Sequence, residues 1–161
     1  SGRAPPGRRI PVRAFHFSLE KVLELKAYRE QETEIELGRA IGDLSRIENN
    51  IKTVAEDRHR AAAERFSPNN NALQILNYDN YIIRLDQKRD ALLEEAARAE
   101  LVVEEKRNRY LEASRERKVL DKLREKREKE YRKKMFAEET KALDDISGGV
   151  LARRQMSGGG F

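Results

Sequence analysis

The chain has 161 residues, of which 39% are charged, 38% hydrophobic and only 6% aromatic, with no Cys and no Trp. That balance excludes a thick globular core, a disulfide framework and a thiolate metal site, and no run approaches the ~20 apolar residues of a membrane span. The net charge of +5 is mild, so where the charges sit says more than their sum. No secretory leader is expected either.

Residues 1–14 are rich in Pro, Gly and Arg. Arg3, Arg8, Arg9 and Arg13 stand there without a single acid, and Pro5, Pro6 and Pro11 forbid a helix. This arm is read as disordered and solvated. Ser18 is the expected N-cap of a first helix over 18–66, with Phe17 stapled onto Val22. Stepping by four and three along that helix gives Leu23, Ala27, Glu30, Glu34, Leu37, Ile41, Leu44, Glu48, Ile51, Ala55, Arg58 and Ala62. Gly38 and Gly42 interrupt its helix propensity, and are read as points of close approach or of a bend.

Ser67-Pro68-Asn69-Asn70-Asn71 carries turn chemistry over 67–71, and one of its Asn residues is expected to cap the next helix. The second helix is predicted over 72–146. Its ladder is Tyr78, Ile82, Leu85, Arg89, Leu92, Ala96, Ala99, Val103, Lys106, Tyr110, Ala113, Arg117, Leu120 and Arg124. Two long amphipathic helices on a short linker form an antiparallel coiled-coil hairpin, so the fold class is all-α. Folding about Asn69 makes paired residue numbers add up to roughly 138. That register sets Glu48 against Arg89, Glu34 against Lys106 and Glu20 against Arg117 or Lys118, so acidic breaks in one seam meet basic breaks in the other.

In that register the first helix runs out near Leu120, and Asp121 to Ile146 overhangs by about 40 Å. Residues 115–134 hold eleven Lys/Arg against five Asp/Glu. Tyr131, Met135, Phe136, Leu143 and Ile146 continue an apolar stripe there, which needs a partner. Ser147-Gly148-Gly149 is expected to stop the helix and leave a disordered tail over 147–161.

No phosphate-binding loop is present, and the paired carboxylates Glu94-Glu95, Glu104-Glu105 and Glu138-Glu139 fall on solvated helix faces. His16 and His59 are too far apart along the hairpin to share a metal. No catalytic residue, metal site or cofactor is expected; function must lie in surfaces.

Two stretches carry a resemblance. One is the aromatic entry Phe15-His16-Phe17-Ser18, followed by Leu19-Glu20-Lys21-Val22-Leu23-Glu24-Leu25-Lys26. The other is Tyr110-Leu111-Glu112-Ala113, then Arg117 to Arg127, then Glu130-Tyr131 and the acidic run from Glu138 to Asp145. Over about Phe15 to Ile146 the chain resembles the flagellar export protein FliJ family. The resemblance implies a non-enzymatic, two-helix antiparallel coiled coil, similar to the central stalk of rotary ATPases. It would bind and promote assembly of the hexameric export ATPase FliI, reach the membrane export gate FlhA, and take part in export-chaperone traffic. It would be a monomer in the cytoplasm, peripheral to the inner membrane, in a system that builds the flagellum for motility and chemotaxis.

The residues offer places for these roles. Lys122, Arg124, Lys126, Arg127, Tyr131, Met135 and Phe136 are the candidate ATPase contacts: cations for acidic loops, aromatics as anchors. Ile51, Val54, Tyr78, Tyr81, Ile82 and Leu85, with Phe66 and Ile83, hold more apolar surface near the turn than a two-helix seam covers, and are the candidate gate contacts. The alternatives are a stalk from a virulence type III system or another rotary ATPase, a generic structural coiled coil, and a nucleic-acid binder. Zipper-type DNA binders are parallel dimers with the basic region before the zipper. Here acids interrupt the basic run, so no nucleic-acid partner is expected.

Overall fold

The computed structural model describes residues 14–158; the basic arm over 1–13 and the last three residues lie outside the described residues. The described chain is all-α, with α1 (Glu20–Arg65) and α2 (Ala72–Ser157) joined by a turn. It divides into two units, each taken by itself below. One is Glu24–Arg117; the other joins the residues up to Leu23 with those from Lys118 onward.

In the Glu24–Arg117 unit, α2 buries the ladder its sequence sets out. Leu85, Ala96, Val103 and Ala113 are buried, and Tyr78, Ile82, Arg89, Leu92, Ala99, Lys106, Tyr110 and Arg117 are half-buried between them. α1 follows its expected ladder only at alternate rungs. Glu30, Leu37, Leu44 and Ile51 face the seam, but the rungs between them are Lys26, Thr33, Ala40, Ile47, Val54 and Ala61, each one residue before the expected position. Ile47 is 3% exposed and Ile41 43%. One residue is about 100° of helix rotation. The observed phase buries Ile47 and Val54 and leaves the Glu34 and Glu48 carboxylates in water, whereas the expected one would draw both carboxylates into the seam at a desolvation cost.

The register differs too. The cross-helix pairs are Lys26 Nζ–Glu116 Oε2 at 2.9 Å, Lys106 Nζ–Glu36 Oε2 at 3.1 Å, Arg58 Nε–Asp86 Oδ1 at 2.6 Å, Arg65 Nε–Asp79 Oδ1 at 2.5 Å, and Arg117 with Glu30. Their numbers add up to between 142 and 147 rather than about 138. Lys106 therefore meets Glu36 and not Glu34, Arg89 turns to Asp86 and Asp90 on its own helix, and Glu48 stays exposed. The cause lies at the turn. The chain does not reverse about Asn69, because the first turn and a half of α2, residues 72–77, runs largely exposed past the end of α1 before Tyr78 takes its place in the seam.

The turn is closed by its asparagines. Asn70 Nδ2 donates to the carbonyls of Glu64 (2.6 Å) and Arg65 (3.2 Å) at the end of α1, and the Glu64 carbonyl also accepts from the Ser67 amide at 3.1 Å. Asn71 caps α2 through a reciprocal box: the Gln74 amide donates to Asn71 Oδ1 at 2.8 Å, and the Asn71 amide donates to Gln74 Oε1 at 2.9 Å.

Gly38 and Gly42 mark no close approach, since a Cβ at either would have nothing within 4 Å. Each therefore costs helix propensity with no packing return. Gly38→Ala and Gly42→Ala should each raise stability by about 0.5–1 kcal/mol, read as a higher urea midpoint at unchanged slope.

The cross-helix pairs also set a pH response. Hydrogen bonding to Arg58 holds the Asp86 carboxyl below its ordinary value of 3.8, and hydrogen bonding to Lys26 holds Glu116 below 4.5. A carboxyl with a lowered folded-state pKa stabilises the fold above its unfolded pKa and releases that stabilisation as pH falls through the folded one. The melting temperature should hold steady from neutral pH down to about 4.5 and drop below it. In Asp86→Asn plus Glu116→Gln the neutral-pH melting temperature should be lower and the acid drop shallower. An unchanged acid limb would remove these pairs from the account.

In the other unit, the entry segment lies on α2. Helix α1 begins at Glu20, and the Ser18 hydroxyl does not cap it. Instead it accepts a hydrogen bond from Arg127 Nη1 at 3.0 Å, and Glu20 Oε2 lies 3.4 Å from Arg124 Nε. α2 does not stop at Ser147-Gly148-Gly149. Both glycines are helical, no described residue has a positive φ, and the helix runs on to Ser157, where the Gly158 amide bonds the Arg154 carbonyl. Two glycines cost about 2 kcal/mol of propensity, but Val150, Leu151 and Arg153 beyond them carry the helix on.

Candidate partner-binding surfaces

The first surface is the C-terminal part of α2. Leu120 and Leu123, then Tyr131 and Met135, are half-buried at helical spacing and turn one side of α2 toward the entry segment. The Phe15 ring meets Tyr131 with centroids 5.7 Å apart at 50°. Phe17 is 4% exposed, under the Arg127 guanidinium at 5.7 Å, a cation–π contact worth about 0.5–1 kcal/mol. The Tyr131 hydroxyl is buried with no hydrogen-bond partner among the described residues.

The seven candidate ATPase contacts thus separate. Arg124, Arg127 and Tyr131 are engaged by the chain's own entry segment, Met135 is half-buried, and Lys122, Lys126 and Phe136 are exposed. The uncovered part of α2 starts at Phe136 and not at Asp121, because the entry segment reaches Tyr131. From Phe136 to Ser157 it is exposed throughout, about 33 Å of helix.

The second surface is the turn end of the hairpin unit. Val54 and Leu85 belong to the seam core, and Ile51, Tyr78 and Ile82 are half-buried beside them. Burial, with the Glu64 carboxylate alongside, pushes the Tyr78 phenol above its usual value. Tyr81 and Ile83 are exposed. The largest open apolar groups are Phe66 at 76%, stacked under Arg65 at 5.4 Å, with Leu73 and Leu76 in the first turn of α2. Leu73 and Leu76 were not among the residues expected here. Their signal is in the sequence: apolar residues three apart, off the Tyr78–Ile82–Leu85 ladder, have no seam to enter.

Among the described residues no cluster of His, Cys, Asp or Glu could hold a metal, and no helix is long and apolar enough to cross a membrane. His16 and His59 are both exposed. Across residues 15–156 the chain matches the family described as flagellar FliJ protein. No curated protein and no solved structure matches it.

Proposed function

Since the chain belongs to the flagellar FliJ family, and with it to the components of the flagellar export apparatus, we propose that it works there as a non-enzymatic stalk. In this reading the C-terminal part of α2 binds the export ATPase FliI and promotes assembly and turnover of its hexamer. The turn end of the hairpin binds the export gate FlhA, at the inner membrane, and export chaperones are further partners. The observation that carries it is the uncovered run from Phe136 to Ser157. Phe136, Leu143, Ile146 and Val150 stand open there, a line of apolar groups that water disfavours and a ring's central hole would cover.

Each end has its own chemistry. Lys122, Lys126 and Phe136 are the open contacts for acidic loops and apolar sockets of the ATPase, while Arg124, Arg127 and Tyr131 hold the entry segment beside them and the half-buried Met135 helps shape that end. At the turn, Tyr81 with Ile83, Phe66, Leu73 and Leu76 presents the gate-binding patch, and Ile51, Val54, Tyr78, Ile82 and Leu85 support it from the seam. The experiment is ATP turnover by the matching export ATPase across a concentration series of this protein. Stimulation with ring assembly supports the stalk; no effect from a folded, helical chain rejects it.

A further inference from the structure

Along the C-terminal part of α2 the arginines and the lysines differ. Arg124, Arg127 and Arg132 are each engaged: with Glu20, with Ser18 and the Phe17 ring, and with Glu128. Lys122, Lys126, Lys129 and Lys133 are exposed, and among the described residues none of them has an ion pair or hydrogen bond. They recur at steps of four, three and four, which keeps them within about 60° on one side of the helix. Two residues along a helix is a turn of about 200°. Lys122 and Lys133 are therefore nearly opposite Leu120 and Tyr131, the side that the entry segment covers.

The same steps reach Val119 before the row and Phe136, Leu143 and Val150 after it, all exposed. Residues 119–150 thus form one open heptad stripe, cationic in the middle and apolar at both ends. We propose that this stripe seats an α-helix of a partner protein bearing carboxylates at heptad spacing opposite the four lysines and apolar residues beyond them. The inference rests on the preceding reading only in taking this part of α2 as a docking surface.

The period argues for a helix. A stripe repeating every 3.5 residues over four heptads drifts slowly around a straight α-helix, and a second helix supercoiling with it can follow that path. The charge pattern argues against phosphates. Glu125 and Glu130 stand among the lysines and line the same shallow depression, where they would repel a nucleic-acid backbone or an anionic bilayer while flanking a coiled-coil partner as ordinary edge charges. A second copy lacks the counterpart, since nowhere in the chain are four successive positions at this spacing all Asp or Glu.

The test uses the full chain and two labelled synthetic peptides of equal composition. One is a helix with Glu at four successive heptad positions and Leu beyond them; in the other the spacing is scrambled. By fluorescence anisotropy the heptad peptide should bind at least about tenfold more tightly. Lys122→Glu, Lys126→Glu, Lys129→Glu and Lys133→Glu together should abolish that binding at unchanged helicity, and Phe136→Ala should weaken it severalfold. Equal binding of both peptides, or binding that survives the four reversals, overturns the inference. So does a preference for phosphatidylserine vesicles or duplex DNA over the heptad peptide, or self-association that the reversals remove. ATPase stimulation measured on the same quadruple variant separates the two readings. If stimulation is lost but the peptide never binds, the docking surface stands and its helical partner falls. If the peptide binds but stimulation is untouched by the reversals, Lys122 and Lys126 are not ATPase contacts and the helical partner stands.

Discussion

Ile47→Ala is expected to cost about 2–4 kcal/mol, and Ile41→Ala less than about 0.5 kcal/mol. The two isoleucines are six residues apart on one helix and chemically identical, and they differ only in which side of α1 they occupy. Ile47 is 3% exposed in the seam, among Leu44, Ile51 and the facing α2 residues, so truncation leaves a gap that two thin helices close only in part. Ile41 is 43% exposed, and alanine there recovers helix propensity about equal to the little burial it loses. Urea unfolding followed by far-UV circular dichroism reads both. Similar losses at the two sites would mean that the seam straddles both stripes of α1, and the phase described above would be wrong.

The second large effect is functional. Ending the chain after Met135 should leave the hairpin unit and the entry contacts to Arg124, Arg127 and Tyr131 in place, since none of them uses a residue beyond Tyr131. Stimulation of the export ATPase should nevertheless fall by about tenfold or more, the size expected when a cluster of apolar anchors is removed. Phe136→Ala with Leu143→Ala and Ile146→Ala should reproduce most of that loss without shortening the chain. Stimulation that persists in both variants would move the ATPase contact elsewhere and leave the uncovered helix without the role assigned to it. Melting temperatures of the truncated and full chains should agree to within a few degrees, which excludes global unfolding as the cause.

The glycines and the caps show how local chemistry and context divide the work. Asn70 and Asn71 close the turn through their own side chains, and three Asn residues after Pro68 announce that in the sequence. Gly148-Gly149 carries the usual sign of a helix end, yet the helix continues, because a stop by glycine requires a left-handed residue and neither glycine adopts one. Ser18 has the right chemistry for a cap, but Arg127, far away in sequence, claims its hydroxyl. Leu73 and Leu76 are open because α1 ends at Arg65 and leaves the first turns of α2 with no facing helix.

By itself the sequence determined the class of this protein. A charge-rich chain with two heptad ladders and a short polar turn is a pair of amphipathic helices, and periodicity alone placed every rung of the α2 seam through Leu120. Tertiary structure decided the phase of α1, the register of the pair and the start of the uncovered helix. The reason is that stripes one residue apart look almost equally apolar along the sequence, and charges on both helices allow several ionic alignments of nearly equal energy. Burying Ile47 and Val54 while Glu34 and Glu48 remain in water breaks the first tie. The end of α1 at Arg65, with Tyr78 entering the seam beside Glu64, breaks the second.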